Sequence, residues 1–175
     1  MAHSSGESGA GAIGRLAAIG LLLAALAAVL FHGFLFRRDN AAPVVDVSGY
    51  AVGAPADVAY AIDGCWVTPR KVAVRGWIAR KGAAIGRRSV RVVAIDAASG
   101  EARALRTVLQ ARSDIAEMLM HRLGGTDAYA LPGFVASLNL AATDQSLRGR
   151  TLHVAYDDGR VKVLIPLECR IEGAP

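Results

Sequence analysis

The chain has 175 residues, of which 53% are hydrophobic and 20% charged, with a formal net charge of +5. This composition excludes a disordered chain, while a mean hydropathy of +0.35 is too high for an ordinary soluble domain. The excess is confined to one run near the amino terminus, and the rest is the size of one domain.

Residues 1–15 are small and polar, rich in Ser, Gly and Ala, and are expected to form a disordered tail. Leu16 to Phe36 then holds 21 residues without Asp, Glu, Lys or Arg, and at about 1.5 Å of rise each they span about 31 Å, the thickness of a hydrocarbon core. A cleaved signal peptide has a shorter apolar region and a small-x-small site. This run ends in Phe34-Leu35-Phe36 ahead of Arg37-Arg38, so residues 16–36 are read as a single transmembrane helix that acts as a signal anchor in membrane lipid. His32 lies within a turn of its end, in reach of the headgroups.

Two signals oppose each other over orientation. Arg15 stands on one side of the run and Arg37 and Arg38 on the other, which favours an internal domain. The two cysteines, Cys65 and Cys169, each flank a strand-like segment and suit one disulfide, which favours an exported domain, periplasmic if the membrane is a bacterial inner membrane. Two buried free thiols and a cytoplasmic domain are the alternative.

Residues 37–56 hold Pro43, Gly49, Gly53 and Pro55 and are read as a linker or stalk. From residue 57 to 175 the hydrophobic period is two. Val58–Ile62, Val72–Ala79, Ser89–Asp96, Arg103–Gln110 and Gly133–Leu140 alternate as strands do. Arg150–Tyr156 and Arg160–Ile165 flank Asp157-Asp158-Gly159, a hairpin turn, with Pro166 expected to end the pairing or mark an edge. One stretch breaks the period: Ile115, Met118, Leu119 and Leu123 follow helical spacing, with Asp114 near the start and Gly124 after the end. The pattern predicts an all-β domain, an immunoglobulin-like antiparallel β-sandwich with one short inserted helix, with a small barrel as the alternative.

No catalytic, cofactor or metal motif stands out. There is no GxSxG, phosphate loop, EF-hand or zinc spacing; His121 and His153 are the domain's histidines, and Asp157-Asp158 suit a turn. From Ala41 onward 17 Lys and Arg face 13 Asp and Glu, and the cations Arg70, Lys71, Arg80, Lys81, Arg87, Arg88 and Arg91 favour an anionic partner or a solvated face. Nucleic acid is not expected outside the cell. Trp66 and Trp77 can stack on sugars if exposed side by side, although Trp77, within an alternating strand, suits a core.

The ordered string Gly76-Trp77, Val90 to Asp96, Ala111-Arg112-Ser113-Asp114-Ile115-Ala116, Gly133-Phe134 and Gly149-Arg150-Thr151-Leu152 resembles small exported β-sandwich modules of bacterial envelope and glycosyltransferase-associated membrane proteins. The resemblance covers Ala59 to Ile171 and implies a non-catalytic fold. In physical terms Arg112 can pair with a strand-end carboxylate, Asp114 can accept first-turn N–H bonds, and Phe134 can fill the core, so these residues and Trp77 are read as structural. The expected protein is therefore a non-catalytic, cofactor-free, membrane-anchored envelope protein whose exported domain binds a protein partner or scaffolds an assembly. The alternatives are a carbohydrate-binding module that uses Trp66 and the basic loops, and a small envelope enzyme built on His121 or His153. Oligomeric state is left open.

Overall fold

A computed structural model describes residues 8–83, 88–124, 129–143 and 147–171, with side chains from residue 13 onward. The chain divides into two compact units, Met1–Arg38 and Asp39–Pro175.

The first unit is one helix, α1 (Ser8–Asp39), in which Ile13–Asp39 is long and apolar enough to cross a membrane. It starts inside the segment expected to be a disordered tail. Once a helix has nucleated, each added residue gains a hydrogen bond, and no proline stops the growth toward Ser8. Arg37 and Arg38 lie in its last turn, where cations complement the helix dipole. The His32 ring donates from Nδ1 to the Ala28 carbonyl one turn back, at 2.7 Å.

The second unit is mostly β. In chain order its elements are β1 (Val44–Val45), β2 (Ala51–Val52), β3 (Val58–Val67), β4 (Lys71–Arg80), β5 (Ser89–Ile95), β6 (Ala102–Ala104), β7 (Arg106–Gln110), α2 (Ser113–Leu123), β8 (Gly133–Asn139), β9 (Thr151–Asp157) and β10 (Lys162–Arg170). One sheet has six strands, in the order β1-β6-β5-β9-β10-β2, and the other has four, β3-β4-β8-β7. All pairings are antiparallel except that of β2 with β10.

Alternation along the strands sends one set of side chains from both sheets into a shared core, which includes Val74, Val92, Phe134, Leu152, Tyr156 and Ile165. The opposite face of the four-stranded sheet is partly roofed by α2. Leu119 packs there on Trp77 and Ala79, and the small side chains Ala59 and Ala61 let the helix come close.

Two features depart from the sequence reading. Arg103–Gln110 does not form one strand: β6 pairs with β5, the chain crosses at buried Leu105, and β7 joins β8 in the other sheet. The Leu105 N–H donates to the Val92 carbonyl at 2.8 Å and so secures the crossing. Residues 37–56 do not behave as a free stalk, because β1 and β2 occupy opposite edges of the six-stranded sheet. Between them Val45, Val47 and Tyr50 pack over Val93, Ala104, Ala155 and Leu164, the outer apolar face that would otherwise meet water. Strand β10 runs through Pro166, which pairs with His153 at the start of an irregularity in the register and marks an edge, one of the two roles expected of it. Its missing N–H is tolerated there because β2 reaches only Val163 and Leu164 on the outer side.

Candidate functional site

Strand β3 ends its sheet and is bulged at Asp63, where the register with β4 shifts between Ile62 and Gly64. The extra residue reverses which side chains point inward. Val58 and Ile62 before it, and Cys65 and Val67 after it, all reach the same core. The inward turn brings Cys65 to Cys169 on β10, and the two form a disulfide with their Cα atoms 6.3 Å apart. A crosslink over a sequence separation of 104 stabilises by about 4.7 kcal/mol in the chain-entropy account.

Above this disulfide lies an open groove of about 610 Å³ between the outer edge of β3 and the end of β10, walled by Tyr60, Ile62, Pro166 and Leu167. Tyr60 is 42% exposed. Among the described residues no strand pairs with the outer edge of β3, and β10 beyond Leu164 has no neighbour on its outer side.

The outward face of the four-stranded sheet beyond α2 is the second open surface. The register aligns Trp66, Ala73, Ser137 and Arg106 in one row, and Gly64, Arg75, Val135 and Val108 in the next. Trp66 is 56% exposed, and its indole lies over Gly64, where a Cβ would meet Cη2 at 2.3 Å. Trp77 is buried under α2, so the two tryptophans do not form an exposed pair. At the end of this face a groove of about 650 Å³ is lined by Arg70, Lys71, Arg106, Ser137 and Asn139, together with Asp39, which pairs with Arg106.

The cations named from the sequence lie in separate places. Lys71 and Arg80 begin and end β4, about 30 Å apart at the rise of an extended strand. Arg80, expected at a contact surface, is buried: Nε donates to Asp158 at 2.5 Å and Nη1 to Asp57 at 3.2 Å. A buried carboxylate needs a counter-charge, and Asp158 is held inside because Oδ1 also accepts the Arg160 and Val161 N–H groups of the hairpin turn. Burial pushes the Asp158 carboxyl up, but these hydrogen bonds outweigh it and leave it below its ordinary value. Arg88 is half-buried near Tyr156, and burial lowers its pKa. Lys81 and Arg91 are exposed, and Arg87 lies outside the described residues.

Part of the resembling string, Gly76-Trp77, Arg112 to Asp114 and Gly133-Phe134, meets in one place, while Val90 to Ile95 and Thr151-Leu152 lie in the other sheet. Gly76 faces Phe134 and Trp77 faces Gly133 across β4 and β8. The space above Gly133 is filled by the Arg112 side chain, where a Cβ would meet Cγ at 2.8 Å. Arg112 donates to both oxygens of Asp114, at 2.9 and 2.8 Å, and to Asp63 on the bulge, at 2.8 Å. Asp114 serves the guanidinium and, as expected of its place in the first turn, also accepts the Ile115 N–H, while Arg112 at the cap position makes no side-chain cap. The two-pronged, charge-assisted pair is the stronger of these contacts. It holds the Asp114 carboxyl down at about 2, chiefly through the Arg112 hydrogen bonds.

His121 is exposed on α2, and His153 faces outward on β9 in the other sheet, with its pKa lowered by burial. Among the described residues no group of three His, Cys, Asp or Glu side chains converges as a metal site would require. Sequence reasoning missed Tyr60, Asp63 and Arg106. A lone Asp inside an alternating strand was the available signal for the bulge. Comparisons with protein-family models, curated proteins and solved structures return no match.

Proposed function

We propose that the protein is a single-pass, membrane-anchored adaptor whose exported immunoglobulin-like domain binds an extended segment of a partner protein without catalysis. The observation that carries this reading is the groove above Cys65–Cys169, where, among the described residues, the outer edge of β3 and the part of β10 beyond Leu164 stand without a strand neighbour. A segment laid there gains main-chain hydrogen bonds along β3, and Tyr60, Ile62 and Leu167 offer apolar contacts to alternate side chains. The bulge and the Asp63–Arg112 ion pair blunt the same edge against uncontrolled pairing.

The immunoglobulin-like classification is supported by strand order. β3-β4-β8-β7 follows the order A-B-E-D, and β6-β5-β9-β10 corresponds to an extra strand beside C-F-G. It is consistent with the resemblance to exported modules of bacterial envelope and glycosyltransferase-associated membrane proteins, which we retain as part of the proposal. Export, and with it a periplasmic location at a bacterial inner membrane, is supported by the Cys65–Cys169 disulfide.

Photo-crosslinking in intact cells tests the reading. With a photoreactive side chain in place of Tyr60, the full-length protein is expected to give a discrete protein adduct that the same probe at exposed Arg91 does not give. Equal labelling from both positions, or none from Tyr60, removes the edge as the binding site. A membrane-impermeant alkylating reagent tests export separately: thiols that react only after the membrane is broken would place the domain inside.

A second reading, carbohydrate binding, is favoured by one observation, the Trp66 indole spread over Gly64 with its outer face open. Envelope polysaccharide should then quench or shift Trp66 fluorescence, with buried Trp77 as the constant background. An unchanged spectrum at saturating polysaccharide discards it.

A further inference from the structure

The groove that contains Arg70, Lys71 and Arg106 has an electrostatic imbalance that the protein itself does not resolve. Its one carboxylate, Asp39, is paired with Arg106. Arg70 and Lys71 are exposed at the β3–β4 turn, and among the described residues no carboxylate pairs with either. Neutral donors complete the concavity. The Asn139 Oδ1 accepts the Ala141 N–H at 3.0 Å, which leaves its amide NH₂ to donate, and the Ser137 hydroxyl lies beside it in the lining. Cations with adjacent neutral donors suit a tetrahedral oxyanion, since guanidinium and ammonium groups take phosphate through short charge-assisted bonds.

The chain's connectivity says where such an anion would come from. Asp39, in the lining of the groove, directly follows Arg38 in the chain, so connectivity keeps that part of the lining within a few residues of the apolar run. The anions concentrated there are lipid headgroups. We propose that this groove holds the headgroup phosphate of an anionic phospholipid. The inference rests on the anchored reading of α1 and is independent of the partner-binding edge.

The full-length chain in nanodiscs of phosphatidylcholine, with or without phosphatidylglycerol, provides the test. Acylation of lysine requires the neutral amine. A phosphate against Lys71 covers the amine and holds it as the ammonium, so phosphatidylglycerol should slow acylation of Lys71 about tenfold. Lys81, at the far end of β4, should react equally in both discs and serves as the internal reference. The R70Q variant changes an exposed turn residue and is expected to keep the disulfide while losing most of the Lys71 protection. Equal Lys71 reactivity in both discs, equal slowing at Lys81, or full protection in R70Q each overturns the site. If glycerol 3-phosphate added to phosphatidylcholine discs protects Lys71 as well as the lipid does, the ligand is a soluble phosphate and the lipid assignment is overturned. Failure of the chain to incorporate into any disc overturns the anchored reading and the lipid site with it, whereas incorporation without Lys71 protection overturns the lipid site alone.

Discussion

A Cβ on Gly76 would lie 2.5 Å from the carbonyl oxygen of Ala61 on the neighbouring strand and 3.0 Å from the Phe134 ring packed against it. Gly76 thus permits β3, β4 and the Phe134 ring to share one small volume. Because one obstacle is backbone, Gly76→Ala should destabilise the domain by about 1–3 kcal/mol. Gly64→Ala meets only the exposed Trp66 indole, which can swing into solvent, and should cost well under that. Denaturant midpoints of the two variants check the contrast, which fails if the two lose equal stability.

The Arg80–Asp158 pair is buried on both sides. Asp158→Asn leaves a guanidinium with only half-exposed Asp57 to compensate it, and should cost about 3–5 kcal/mol. Replacing both residues together, Arg80→Met with Asp158→Leu, should cost less than the sum of the single changes. Additive losses would mean that the two do not act as a pair.

Acid should act on Asp114 in a defined window. Its carboxyl is held down at about 2 by Arg112, against an ordinary value near 3.9 in the unfolded chain. A depressed pKa contributes stability that is complete above about pH 4 and is lost as pH falls toward 2. Carboxyl ¹³C shifts should show Asp114 titrating low in the wild type and near its ordinary value in Arg112→Gln. An unchanged titration in that variant would remove Arg112 as the cause.

Two covalent and packing constraints can be removed independently. Cys65→Ser with Cys169→Ser should lower the thermal midpoint by on the order of 10 °C, from the 2–5 kcal/mol typical of a lost native disulfide. Val47→Asp with Tyr50→Ala should destabilise by about 2–4 kcal/mol if residues 44–52 cover the six-stranded sheet. A midpoint unchanged by the second pair would restore the free-stalk reading of 37–56.

The sequence by itself determined the elements whose signals are local. An uninterrupted apolar run marked α1, period-two alternation marked most strands, helical spacing marked α2, and Asp157-Asp158-Gly159 marked the last hairpin. Each depends on residues within a few positions of one another. Tertiary structure decided which faces are covered and by what. Trp77 is buried and Trp66 is not because α2, from a distant part of the chain, roofs only one half of the same sheet face. Arg80 is buried beside exposed Lys81 because Asp158, 78 residues away, arrives as its counter-charge. The grooves arise in the same way, where residues distant in sequence meet, Tyr60 with Leu167 in one and Arg70 with Ser137 in the other. Period and composition carry no record of such meetings, because burial in a β domain is set by long-range pairing and alternation settles only which side chains share a face.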